Sequence, residues 1–220
     1  MNFDNTVYAN PTLINLVSGA PYSVQDLSMG SNKACAVVKL QNNSIRSICW
    51  GVGGSVTDIG AFSTIAVGYS HVCGRVSGVT MCTGGNDQHQ VTNNPTNSNW
   101  GDPITVATWV TKLGTQVTTG YDSRHNCFIE NNRISCWGSD NYGQLGDGRT
   151  LLYGLQDFQA TSGINGNGVY QIPSITDAQQ LSLGQYHSCV LRSNGVVACW
   201  GRLGNDLNQY NTTPEIVQGL

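Results

Sequence analysis

Four times along this chain a pair of cysteines brackets a turn. Three copies read Cys35-AVVKLQNNSIRSI-Cys49-Trp50-Gly51, Cys127-FIENNRIS-Cys136-Trp137-Gly138 and Cys189-VLRSNGVVA-Cys199-Trp200-Gly201. A degenerate copy reads Cys73-GRVSGVTM-Cys82-Thr83-Gly84, and the four copies use all 8 cysteines. A unit repeated in this way constrains the architecture before any single residue is interpreted.

The spacing is that of β-hairpins. The midpoint of Cys127 and Cys136 falls between Asn131 and Asn132, and that of Cys73 and Cys82 between Ser77 and Gly78. Both are two-residue turn sequences flanked by strand-forming residues. Cys189 and Cys199 centre on Asn194, and Cys35 and Cys49 on Asn42 in a longer polar loop. In the tightest copy Glu130 and Arg133 flank the turn as a hydrogen-bonded pair. Alternation then makes Ile129/Ile134 and Cys127/Cys136 non-hydrogen-bonded pairs, with Cα atoms about 4.5 Å apart, within disulfide reach. These four side chains share one face, read as the buried one. Four disulfides follow: Cys35–Cys49, Cys73–Cys82, Cys127–Cys136 and Cys189–Cys199. Each closes a loop of about ten to fifteen residues, worth roughly 3 kcal/mol through the unfolded chain. His71, His125 and His187 stand two residues before a first cysteine, with Lys33 at that place in the first copy. A zinc site at each would lack ligands, so no metal is assigned, and the histidines are read as hydrogen-bonding residues of the repeat.

Composition narrows the function classes. Charged residues make up 10% of 220, the formal net charge is −3, and no Lys/Arg cluster occurs, which argues against nucleic acid as a partner. The 27 glycines, together with abundant Asn, Ser and Thr, indicate an all-β chain rich in turns. Paired cysteines point to an oxidising, extracellular or cell-surface location. No segment is apolar enough for membrane insertion. Met1-Asn2-Phe3-Asp4 is not an export signal, so the expectation is a piece of a longer exported protein.

A second element precedes each hairpin: a strand-like run ending in glycine, at residues 24–30, 63–68, 116–120 and 178–184. After the hairpins come polar, glycine-rich loops, best seen at 138–148, where Gly143-Gln144-Leu145-Gly146 stands out. Prolines then open further segments at Pro11, Pro103, Pro173 and Pro214. This order of strand, glycine, His-Ser-Cys, turn, Cys-Trp-Gly and Gly-Gln-Leu-Gly resembles the regulator-of-chromosome-condensation repeat. More closely, it is similar to the bacterial, cysteine-paired, extracellular branch of that family. The resemblance runs from about Pro11 to Leu220 and implies four-stranded blades in a β-propeller-like array. The expected organisation is a stub at 1–10, read as the end of a preceding stalk, and a single repeat domain at 11–220. Its copies lie near 11–51, 52–102, 103–148 and 149–213, and a final strand at 214–220 opens a fifth repeat. First cysteines lie 38, 54 and 62 residues apart, so the copies are unequal. Residues 85–102 and 149–172 read as insertions, and the stretch from Gly51 to Phe62 as too short for a loop plus an outer strand. Such an array is either partial or completed by oligomerisation.

No catalytic constellation is present, and the reading is non-enzymatic, with no cofactor. Asp140 and Asp147 match no calcium loop. Trp50, Trp137 and Trp200 are assigned to packing between blades. Trp100, beside Asn97 and Asn99, is a candidate sugar platform, because an aromatic face and amide groups suit a pyranose. Trp109, Tyr142, Tyr153 and Tyr170 join it as candidate ligand-binding residues. The leading reading is an extracellular recognition module, an adhesin or fibre-tip domain that binds a cell-surface glycan or protein, with a homotrimer expected if a trimeric stalk precedes it. The alternative is a secreted, propeller-type inhibitor of an enzyme. The small-GTPase exchange activity of the family's founding member does not suit so short, cysteine-paired a chain.

Overall fold

The computed structural model describes residues 22–51, 56–91, 116–150, 169–204 and 209–219. Among them it places strands and no helix, so none long and apolar enough to cross a membrane. The first sheet is β1 (Tyr22–Met29), β2 (Lys33–Leu40), β3 (Ile45–Gly51) and β4 (Thr57–Asp58). The second holds β5 (Thr64–Val67), β6 (His71–Val76) and β7 (Val79–Gly84). The third comprises β8 (Gln116–Thr118), β9 (His125–Glu130), β10 (Arg133–Gly138) and β11 (Tyr170–Gln171). The fourth comprises β12 (Ala178–Leu183), β13 (His187–Arg192), β14 (Val197–Gly201) and β15 (Asn211–Ile216). Each sheet is an antiparallel meander in chain order. The first strands β1, β5, β8 and β12 contact one another in sequence, as the inner strands of propeller blades do.

The hairpins obey the register that turn chemistry dictates. Glu130 pairs with Arg133, Ile129 with Ile134 and Cys127 with Cys136. Asn131 and Asn132 have φ of 50° and 61°, and Ser77 and Gly78 50° and 84°. Two successive positive φ values mark the turn whose twist matches paired strands. All four disulfides form across their own hairpins, with Cα–Cα distances of 4.0 to 4.1 Å.

Four expectations change. Pro214 does not open a fifth repeat. It lies inside β15, which begins at Asn211 and pairs with β14 as the outer strand of the fourth blade. An edge strand tolerates proline because its outward N–H needs no partner. The span from Gly51 to Phe62 does hold an outer strand, because two residues suffice: Thr57 pairs with Cys49 and Asp58 with Ile48. The Arg46 guanidinium holds Asp58 at 2.6 Å. Similarly, residues 170–171 form the outer strand of the third blade, and Pro173 follows it in a turn. Residues 85–91, read as part of an insertion, form the repeat's own loop. Asn86 Oδ1 accepts the Val91 N–H at 2.9 Å, as Asp140 Oδ1 accepts that of Leu145 at 2.8 Å.

Seams between blades share one construction. The Cys127–Cys136 face of the third blade packs on Leu181, Leu183 and Trp200 of the fourth. The Cys73–Cys82 face of the second packs on Val117, Phe128 and Trp137 of the third. At each of these seams the Trp indole N–H donates to a loop carbonyl of the preceding blade: Trp137 to Gln90 O at 3.0 Å, and Trp200 to Gln144 O at 2.8 Å. Histidine adds a second link. His71 Nε2 meets Asn126 Oδ1 at 2.7 Å, and His125 Nε2 meets Ser188 Oγ at 2.9 Å. Glycines let inner strands approach. A Cβ on Gly120 would lie 2.0 Å from Leu183 O.

Candidate functional site

In a four-stranded meander the first turn and the third fall at the same end of the blade, and the cysteine hairpin turn falls at the other. The turns between the first and second strands carry Tyr69, Tyr121, Arg124 and Tyr186. The loops after the third strands carry Asp87, Tyr142, Arg202 and Tyr210. The repeat therefore collects tyrosines and arginines from three blades on one end of the array.

These side chains stack on each other. The Arg124 guanidinium lies 4.2 Å over the Tyr69 ring and forms an ion pair with Asp87, tying the second blade to the third. Arg202 lies 4.4 Å over Tyr186 and 4.8 Å over Tyr142. Tyr142 and Tyr186 are 4.8 Å apart at their centroids, and Tyr210 stands 6.3 Å from Tyr142. Gln185 Nε2 donates to Asp122 Oδ2 between the third and fourth blades. The Tyr142 N–H donates to Gln144 Oε1 at 2.8 Å, anchoring the loop that holds the ring. Stacked guanidinium and phenol groups lose little rotamer freedom when a partner arrives, so the surface is preorganised.

Between these side chains lies a cleft of about 190 Å³. Tyr69 and Gln88 reach it from the second blade, Arg124 and Tyr142 from the third, and Gln185 and Tyr186 from the fourth. Gln88 Oε1 and Asn141 Oδ1 line it as buried acceptors without a hydrogen-bond donor. Among the described residues Arg202 has no carboxylate partner. The cleft thus offers aromatic edges, the Arg124 guanidinium and amide groups to a polar ligand, with Arg202 stacked on two of its tyrosines.

Buried titratable groups serve the scaffold. Ser123 Oγ, His125 and Ser188 Oγ stand at hydrogen-bond distances of 2.8 and 2.9 Å, yet all three residues are fully buried in the seam. Burial lowers the His71 pKa to about 4, and the bond its Nε2–H donates to Asn126 offsets this only partly. Burial, then the charges of His187 and His71, lower His125 to about 3. Both rings are therefore neutral crosslinks near pH 7. Burial pushes Asp140 up to about 8 against the Leu145 N–H bond, with Asp147 adding to the rise. No group of three or more metal-ligating side chains occurs among the described residues.

Of the candidate ligand residues, Tyr142 stands at the centre of the stacked surface. Tyr170 lies in β11, partly buried against the core shared by the third and fourth blades, and burial raises its pKa. Trp100, Asn97, Asn99, Trp109 and Tyr153 lie outside the described residues. Sequence reasoning missed Tyr69, Arg124, Tyr186 and Arg202. Their signal was positional: the first three stand between the strand-ending glycine and the histidine, or next to it, and Arg202 follows Cys-Trp-Gly directly.

Comparison with known proteins agrees with this architecture. Residues 178–209, the core of the fourth blade, match the family described as Regulator of chromosome condensation (RCC1) repeat. Prp20p from Saccharomyces cerevisiae, solved together with a study of its binding to Gsp1p and histones, is similar with a TM-score of 0.65 at 16% identity, over 90% of this chain and 52% of that one. The yeast RCC1 (Prp20) bound to Kap60 gives a TM-score of 0.63 at 16% identity, over 90% and 50% of the two chains. The chain thus spans about half the length of the solved structures it matches. At this identity the likeness concerns the fold. No curated protein matches by sequence.

Proposed function

We propose that this chain is a non-enzymatic recognition module of the cell exterior, an adhesin or fibre-tip domain that engages a protein or glycan of a cell envelope. The observation that carries the reading is the stacked tyrosine–arginine surface spanning three blades. Tyrosine and arginine are the residue types that dominate binding energy at interfaces, and here they are held rigid by a disulfide-stapled scaffold. The rings already carry arginines on their faces, which favours a protein partner over stacked sugar. The four disulfides support an oxidising location. The yeast propellers' binding to Kap60, Gsp1p and histones suits a protein-binding role, without naming a partner here.

The test is binding of fluorescent chain to intact bacterial and animal cells, before and after protease or glycosidase treatment. Tyr142→Ala, Tyr186→Ala and Arg202→Ala are each expected to lower binding at least tenfold, about 1.4 kcal/mol, while melting temperature changes little. Unchanged binding by all three overturns the site. Loss on Trp100→Ala instead would move the site to residues 97–100. A secreted enzyme inhibitor would use the same aromatic end of the array, and tight inhibition of a target enzyme in vitro would favour that reading.

A further inference from the structure

Among the described residues, the first blade has a face built like a seam with no blade packed on it. In β1, Leu27 pairs with Ala36, and Met29 with Ala34 and through it Trp50. These are the register positions of Ile65 and Val67 in the second blade, Val117 in the third, and Leu181 and Leu183 in the fourth. Those five residues are buried against the blade before them. Leu27 is 58% exposed, Met29 67% and Val24, on the same face, 52%. Trp50 is only partly buried. Its indole N–H, which in Trp137 and Trp200 reaches a loop carbonyl of the preceding blade, has no acceptor among the described residues.

The fourth blade ends in the complementary half. At the first seam, Asp26 and Ser28 project from β1 and accept the Ile65 and Val67 N–H groups at 2.9 Å. Their register equivalents on β12 are Gln180 and Ser182, both polar and exposed. Beside them Cys189, Leu191 and Val197 are only partly covered, whereas the cysteine faces of the other three blades are packed under a neighbour. His187 would face Ala34 across such a seam and gain no bond. The first seam already does without that link, since Lys33 and Val72 occupy its two positions.

We infer that the open face of the first blade receives the fourth blade of a second copy of this chain. Two copies, each with one open receiving face on its first blade and one partly covered cysteine face on its fourth, close a ring through two identical head-to-tail seams. Leu27, Met29 and Trp50 are buried there against the partner's Cys189–Cys199 face. This inference does not depend on the tyrosine–arginine surface.

Solution mass by light scattering tests it, without reductant and across a dilution series. The expected mass is twice 23.5 kDa. Leu27→Asp and Ser182→Arg alter opposite halves of the seam at exposed positions, so each is expected to halve the mass while keeping its melting temperature. Mixed, the two variants share one intact seam and are expected to regain a two-chain species. A monomer at every concentration, a trimer, or an oligomer indifferent to both substitutions overturns the inference. So does failure of the mixture to reassociate. A monomeric wild type whose Leu27 region is nevertheless protected from hydrogen exchange would identify another segment of the chain as the cover.

Discussion

The third blade and the first use the same strand register with opposite consequences. In the third, Phe128 and Trp137 are buried against the second blade, while Cys127, Ile134 and Cys136 are buried against the fourth. In the first, the cysteine face is packed but Leu27, Met29 and Val24 lie open. The difference does not reside in the strands, since apolar residues occupy equivalent places in both. It resides in whether a neighbour is present. Burial in a repeat array belongs to the seam rather than to the unit, as expected where each unit contacts only its neighbours.

The largest test of this contrast compares two tryptophans. Trp137→Ala is expected to cost about 3–5 kcal/mol in urea unfolding, because a fully buried indole and its hydrogen bond are lost. Trp50→Ala, measured in dilute single chains, should cost less than half as much. Equal losses would break the comparison. Next come two glycines. Gly120→Ala places a methyl against the Leu183 carbonyl and should cost about 1–3 kcal/mol through a strained seam. The three atoms nearest a Cβ on Gly184 all belong to the His187 ring, the closest at 2.3 Å. That ring is half-exposed and can turn, so Gly184→Ala should be milder in the same assay.

Stability against pH separates the seam from the loop. The folded pKa values of His71 and His125 are depressed, to about 4 and about 3. Their contribution is therefore complete above the unfolded value of 6.5 and is lost as pH falls toward 4 and 3. Asp140 behaves oppositely. Its folded pKa of about 8 is raised, so its contribution is complete below the unfolded value of 3.8 and is lost as pH rises to 8. Between pH 6.5 and 8 this carboxyl imposes a slope of up to about 1.4 kcal/mol per pH unit. Asp140→Asn copies the second blade's Asn86 and should flatten that slope while leaving the acid limb intact, as followed by chemical unfolding from pH 3 to 9. Smallest is Leu27→Ser, expected to move single-chain stability by no more than about 0.5 kcal/mol, against a loss of 2 kcal/mol or more for Ile65→Ala at the equivalent covered position.

Much of the scaffold was legible because hairpin physics is local. Asn131-Asn132 and Ser77-Gly78 set turn, register and disulfide together, and the glycine-ended runs before each hairpin proved to be β1, β5, β8 and β12. Outer strands β4 and β11 were not legible, because two residues carry no periodicity. Pro214 was misleading because proline marks strand starts in general, yet here an edge position absorbs it. Of the candidate ligand residues, Tyr142 falls on the stacked surface. Its companions escaped notice because each is an isolated tyrosine or arginine in its own turn.

The amino-acid order alone specifies the unit: a three-strand meander stapled by its own cysteines, with tryptophan on the face opposite the disulfide. Those features depend on contacts within about fifteen residues, where turn type and strand alternation leave little choice. The gathering of Tyr69, Arg124, Tyr142, Tyr186 and Arg202 into one surface, and the opening of the first blade's apolar face, belong to the tertiary structure. Both arise from how blades stack side by side, which sequence spacing along the chain does not encode.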